Sequence, residues 1–257
     1  MIAVAFFSFL SIVDGQIPRP RNYKPTVAND RLWRLKRYEI TAGIGSTQIF
    51  GDIGGFSRNN NLLGFKDFTF LQTRYNINAG VKYRIRDNVS AKLNFTFGNF
   101  HTTDTRGSNE TRGLESTTMF FEPAILGEYY FIKYKGSKSF LFKRGRWHIV
   151  WPFFSMIDCY AFAGLGGLSY NVKPNDLLAL RATKTSGFTA VIPGGVGMNV
   201  IYSRDFNVGL ELGGRYAFSD NIDGYTSQFS KSNDIYYFLN LIFTYKIRTG
   251  KYGFPLF

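Results

Sequence analysis

Charged side chains recur inside the apolar-patterned stretches of this chain, at even spacings, and that is its first chemical signal. Lys82 and Arg84 stand two apart, Glu211 and Arg215 four, Glu122 and Glu128 six. Even spacing puts such groups on one face of a strand. With Glu39, Arg74, Lys92, Asp158 and Lys246 they form a mixed set of carboxylates and cations. Two kinds of chemistry suit such a set: static pairing in an enclosed space, or the lining of a conducting or gated path. A different chemistry would need His101, Asp104 and Ser108, a base, an acid and a hydroxyl close together in a polar stretch. Mixtures of Asp, Ser and His are common in polar loops by composition alone, so the expectation is no enzyme and no catalytic residue. The glycine clusters at 43–45 and 194–197 lack the G-x-G-x-x-G spacing and a following helix, which argues against nucleotide binding. With one cysteine (Cys159) and two histidines, no metal, cofactor or internal disulfide is expected. The Asn-x-Ser/Thr triplets at 88, 94 and 109 fall in or beside expected strands and carry no weight.

The elements that must position these charges have a period of two. In "NVGLELGGRYAFSDN" (207–221), Val208, Leu210, Leu212, Tyr216 and Phe218 alternate with Asn207, Gly209, Glu211, Gly213 and Arg215. The pattern begins at "RYEITAGIG" from Arg37. It returns in "TRYNINAGVKYRI" and, after the short link Arg86-Asp87-Asn88, in "VSAKLNFTF", a hairpin signature. A strand over about 118–134 sets Phe121, Ile125, Tyr129 and Phe131 against Glu122 and Glu128. "IDCYAFAGLGGLSYNV" and "FTAVIPGGVGMNVIY" follow, then the opening stretch after the short turn 203–207, and "DIYYFLNLIFTYKIR" closes a series of eight strands. Longer polar stretches are expected as loops at 50–66, 101–117, 173–187 and 219–233, and no linker divides the chain.

Composition agrees with β-structure. Aromatic residues make up 18% of the chain, with 27 Phe and 16 Tyr beside 27 Gly. Residues 1–15 read as a signal peptide whose apolar run, Ile2 to Val13, is too short to span a membrane as a helix. Cleavage before Gln16 would export the chain. Residues 16–36 read as a basic, extended periplasmic segment, 37–248 as the barrel and 249–257 as a C-terminal tail.

Short turns alternating with long loops, and charges lying within strands on one parity, predict an all-β fold: an eight-stranded antiparallel up-and-down transmembrane β-barrel with short periplasmic turns and long extracellular loops. In lipid the sheet must close, because an open edge leaves backbone groups unpaired. The apolar parity then faces lipid and the charged parity the lumen. Tyr38, Tyr75, Tyr83, Tyr129, Tyr216, Phe218, Tyr237 and Tyr245, near strand ends, suit the two interfacial aromatic girdles. Eight strands leave no wide channel, so the lumen charges are expected to pair, with a conducting role as the alternative. Glycines 164, 166, 167, 194, 195, 197, 213 and 214 would relieve crowding where strands bend.

The net charge of +13 is concentrated in 16–37 and in 135–148 ("KGSKSFLFKRGRWH"), both at the short-turn end. These segments suit lipid headgroups, or an acidic periplasmic partner docking on Arg31, Trp33, Arg34, Lys143, Arg144, Arg146 and Trp147. Nucleic acid is not expected in an exported barrel. "KRYEITAGIGSTQIFGDIGG", with its Gly-Asp-x-Gly-Gly turn, resembles the start of the PorG-like outer-membrane barrels of Bacteroidetes. "CYAFAGLGGLSYNVKP", "AVIPGGVGMNVIYSRDFNVGLELGGRYAFSDNIDG" and "IYYFLNLIFTYKIR" continue the likeness. Pro193, Gly195, Gly197, Glu211, Gly213, Arg215, Tyr216, Phe218, Asp220 and Asp223 carry its most specific part, while the basic connection at 135–154 departs from the pattern. The resemblance implies a bacterial outer-membrane subunit of the type IX secretion machinery, tied to outer-membrane lipids and to periplasmic ring proteins, a lipoprotein and its partner subunit. It brings no catalytic residues. A surface adhesin or lipid-contacting barrel acting through its long loops, or a narrow porin, are the other readings.

Overall fold

The computed structural model describes residues 36–51, 53, 70–104, 110–133, 157–180, 182, 184–203, 205–226, 233–249 and 255. Eight strands form one closed sheet: β1 (Tyr38–Phe50), β2 (Arg74–Arg84), β3 (Val89–Thr103), β4 (Glu115–Ile132), β5 (Ile157–Pro174), β6 (Ser186–Ile201), β7 (Phe206–Ala217) and β8 (Ile235–Ile247). Every strand pairs antiparallel with its chain neighbours. β8 then returns to β1, with Glu39 opposite Lys246 and Ile44 opposite Leu241. This closure leaves no strand edge open.

The period-two pattern decides which way each side chain points. On the outer parity Ile44, Ile77, Ile125 and Leu165 are exposed, Leu165 to 70%. On the inner parity of the same strands Glu39, Thr41, Asn76, Lys82, Glu122 and Glu128 are buried. Apolar residues outside and ionised groups inside reverse the arrangement of a soluble ligand-carrying barrel. Aromatic residues gather at both ends of the outer face. Tyr38 and Tyr83 lie 5.1 Å apart, centroid to centroid, near the short-turn end. Phe50 and Tyr237 meet at 5.4 Å, and Tyr216 and Phe218 at 5.5 Å, near the long-loop end.

Two expected loops are partly strand. The stretch 101–117 begins and ends as a continuation of the β3–β4 hairpin, with Phe100 opposite Thr118 and Thr103 opposite Glu115. Its side chains pair by hydroxyl and imidazole contacts rather than by apolar alternation, which masks the period in the sequence. The stretch 173–187 loses both ends to β5 and β6 and holds one helical turn, α1 (Asp176–Ala179), capped by Asn175, whose side chain accepts from the Leu178 amide at 2.9 Å.

Candidate functional site

The lumen is the concave region where the charged residues converge, and it is filled in layers. Nearest the short-turn end, Arg84 Nη2 donates to Glu39 Oε1 at 2.7 Å. Lys82 Nζ lies 2.8 Å from Glu128 Oε2, and the Tyr130 hydroxyl joins both groups at 3.1 Å. Lys246, half-buried, stands opposite Glu39 in register, and buried Asp158 acts electrostatically on Arg84 and Lys246. Just beyond β4, Lys133 closes this end against Asp87 at 2.5 Å. Burial lowers the Lys133 ammonium from the ordinary lysine range, and the Arg84 charge acts the same way; Asp87 opposes both.

The next layer joins opposite walls. Lys92 on β3 donates to both carboxylate oxygens of Glu211 on β7, at 3.0 and 3.2 Å, and Tyr160 donates to Oε1 at 2.6 Å. Above it Tyr236 donates to Glu122 Oε2 at 2.6 Å, while Arg215 Nε stands 3.5 Å from Oε1. Arg215 also donates to the Gly213 carbonyl at 2.7 Å and lies over the Phe238 ring at 4.1 Å. Each carboxylate facing a cation in these layers also has a hydroxyl donor or close packing around it. Such neighbours are needed when ion pairs lose water.

Towards the long-loop end the interior changes character. Phe100 and Phe120 stack at 4.2 Å, Phe120 and Phe238 at 5.5 Å, and Tyr236 tilts against Phe100 at 5.0 Å. Ile49, Leu168, Tyr170, Val172, Val191 and Ile222 continue this core outward. Residues 219–226 fold into the mouth: Thr118 and Ser116 donate to the carbonyls of Ile222 and Asp223, both at 2.8 Å. Asp234 accepts from the Ile222 amide at 2.9 Å, and Asp223 accepts from the amides of Ile53 and Tyr225 at 3.1 and 3.0 Å. Gly224 closes the loop with φ +84°, a left-handed conformation that suits glycine, and a β-carbon there would meet Val172 at 2.8 Å.

Several glycines singled out in the sequence have a packing reason. A β-carbon at Gly195 or Gly213 would come within 2.8 or 2.7 Å of the Phe162 ring, and one at Gly197 within 2.4 Å of Tyr160. These glycines on β6 and β7 admit the large inward aromatics of β5. Asp223 also reaches across the sequence to the Ile53 amide, which joins the end of the β1 segment to the cap.

Arg74 shares the inner parity but stands half-buried at the long-loop rim, where it donates to the Thr73 carbonyl at 3.0 Å. It belongs to the rim rather than to the paired layers below. His101, opposite Thr117 at the same rim, has the outer parity but is buried. Its Nδ1 is 3.1 Å from Thr117 Oγ1 and its Nε2 3.5 Å from Glu115. Asp104 accepts from Arg112 Nε and Nη2, each at 3.0 Å. Histidine and aspartate thus have separate partners, and Ser108 lies outside the described residues, as do the segment 1–35, Arg31, Trp33, Arg34, Lys143, Arg144, Arg146 and Trp147. Sequence reasoning missed the inward aromatics Phe100, Phe120, Tyr160, Phe162, Tyr236 and Phe238. The signal was there: β8 is apolar on both parities over much of its length, the mark of a strand buried on both faces.

These features define a closed, antiparallel, eight-stranded barrel with an apolar exterior, an ion-paired lumen and a capped mouth. A family model described as a domain of unknown function (DUF6089) matches residues 150–249. No curated protein sequence matches the chain. Neisserial surface protein A is similar in structure with a TM-score of 0.44 and 11% identity, over 81% of this chain and 96% of that one. Ail, the attachment invasion locus protein of Yersinia pestis, in its complex with the heparin analogue sucrose octasulfate, gives 0.44 and 9% over 82% and 98%. A major outer membrane protein from Thermus thermophilus gives 0.41 and 9% over 81% and 99%.

Proposed function

We propose that this chain is a non-enzymatic outer-membrane barrel that anchors or assembles a protein secretion apparatus of the type IX kind, through its periplasmic end. Membrane residence is supported by the apolar outer parity between two aromatic zones, since a closed sheet with such a face satisfies its backbone in lipid. On this reading the short turns after β2 and β6 lie at the periplasmic end, together with the start of β1 and the finish of β8. One observation carries the anchoring reading: the described lumen is filled by ion pairs below and stacked aromatics above. Ion pairs and aromatic rings thus occupy the described lumen, which favours work done at the ends of the barrel. The resemblance to PorG-like barrels and the basic segments at the periplasmic end favour acidic ring subunits there as partners.

Cross-linking in intact cells, followed by identification of the attached protein, tests this directly. Charge reversal of Arg31, Arg34, Lys143, Arg144 and Arg146 together should abolish co-purification of periplasmic partners while leaving the barrel inserted. Undiminished co-purification defeats the reading. A surface-binding role has one observation in its favour, the ordered long-loop end built from the β3–β4 extension, α1 and the 219–226 cap. Deleting 219–226 would then abolish surface binding and spare partner capture.

A further inference from the structure

The outer face of β3–β6 is not uniform, and its rows can be followed outward through the register. Phe97 pairs with Phe121, Phe121 with Ser169, and Ser169 with Phe188, which leaves one small side chain between aromatic neighbours. One pleat further out, Met119 pairs with Asn171 and Asn171 with Ser186. These two rows line a groove of about 520 Å³, within the range that holds a small ligand. Phe188 forms one wall and is held over Gly167, where a β-carbon would approach its ring to 2.5 Å.

The third row is charged. Thr117 pairs with Lys173, and the Val172 amide donates to the Thr185 carbonyl at 2.7 Å, which carries the β5–β6 pairing on and sets Lys184 beside Lys173. Both lysines are exposed, and among the described residues neither has a carboxylate within ion-pair distance. The order outward is therefore apolar slot, amide and hydroxyl, then two ammonium groups. Elsewhere around the described rim the corresponding positions are Tyr216 beside Ile235, Phe50 beside Ile235, and Gln48 beside Tyr237, with no lysine pair.

We propose that this groove binds one phosphate-bearing lipid of the outer leaflet, with an acyl chain over Ser169 and the phosphate between Lys173 and Lys184. The proposal rests on the outer-membrane reading. It adds to that reading a ligand class and a fixed place for it. Apolar floor and paired cations match a chain joined to an anionic headgroup, whereas a soluble anion would need no slot and a neutral lipid no lysines. Each basic residue adds to the attraction for an anionic lipid headgroup, and two adjacent ones favour a single phosphate.

Native mass spectrometry of protein released from nanodiscs of phosphatidylcholine with a minority of phosphatidylglycerol tests the site. The wild-type barrel should retain phosphatidylglycerol in preference to phosphatidylcholine. Lys173→Glu/Lys184→Glu should lower that preference about tenfold or more, and Ser169→Trp, which fills the slot, should release lipid of either headgroup. Equal retention by wild type and the double variant would mean unselective annular lipid and overturn the site. So would an unchanged Ser169→Trp protein, since headgroup attraction alone would then suffice. Heat-dependent mobility of each variant shows separately whether the barrel is closed and inserted. Inserted variants with unaltered lipid retention remove the site and leave the outer-membrane reading standing, whereas a wild-type chain that never enters the bilayer removes both.

Discussion

The two halves of the lumen solve the same problem with different chemistry. Towards the short turns, Glu39, Lys82, Arg84, Lys92, Glu128 and Glu211 fill the interior as ion pairs, two of them tied to tyrosine hydroxyls. Towards the long loops, Phe100, Phe120, Tyr236 and Phe238 stack under the inserted Ile222. The first half is polar but cross-linked from wall to wall. The second is apolar and is covered by the 219–226 segment, held through hydrogen bonds between side chains and backbone. A barrel of this size thus has two independent closures, and each should fail in its own way when altered.

The largest effect is expected in the charged half. Glu211→Leu leaves the Lys92 ammonium buried without its carboxylate and should cost about 3–5 kcal/mol, read as a lower urea midpoint for unfolding from lipid vesicles. Lys92→Met/Glu211→Leu should recover most of that loss, because an apolar pair of similar volume carries no desolvation penalty. If the double variant is as unstable as the single one, the pair is not the unit that holds these walls.

A somewhat smaller loss is expected in the aromatic half. Phe120→Ala should destabilise by about 3 kcal/mol, towards the low end for a buried aromatic because Tyr170 and Phe238 are placed to close over the gap. The same variant should leave planar-bilayer recordings silent while the ion pairs beneath persist. Steady conductance would show that the aromatic stack, and not the charged layer, is the seal.

These two halves were not equally legible in the sequence. The charged parity could be followed residue by residue, because Lys82 or Glu211 between apolar neighbours admits only one facing in a closed barrel. The stack was less plain: parity with Asn240, Thr244 and Lys246 turns Tyr236 and Phe238 inward, but β8 is apolar on both parities there, so the aromatic filling does not stand out. The partner strands make room for them: Gly213 stands opposite Phe238, and Gly195 opposite Phe162. The cap was hidden for another reason. Asp223 and Asp234 look like loop acids until the chain returns and gives them the amides of Ile53 and Ile222 to hold.

The cap itself should respond more modestly. Asp234→Ala removes the acceptor of the buried Ile222 amide and should cost about 1–3 kcal/mol. The readout is faster proteolytic cleavage within 219–226 in intact vesicles. Conductance should remain absent, since Phe100 and Phe120 still close the barrel below. Cleavage at the wild-type rate would mean that Thr118 and Ser116 alone hold the loop.

The smallest effect belongs to the short-turn rim, where Lys36 pairs with Asp205 and Arg248 lies 3.8 Å from the same carboxylate. These side chains are partly exposed, so water and salt screen the attraction and the pair is worth no more than about 1 kcal/mol. Asp205→Asn should therefore shift the urea midpoint slightly at low salt and not measurably at high salt. By contrast, the Glu211→Leu loss should be nearly independent of salt, because its charges lie where ions do not reach. A rim variant as costly as the lumen variant would mean that the barrel is held at its ends rather than through its middle, and the layered lumen would then be a filling instead of a frame.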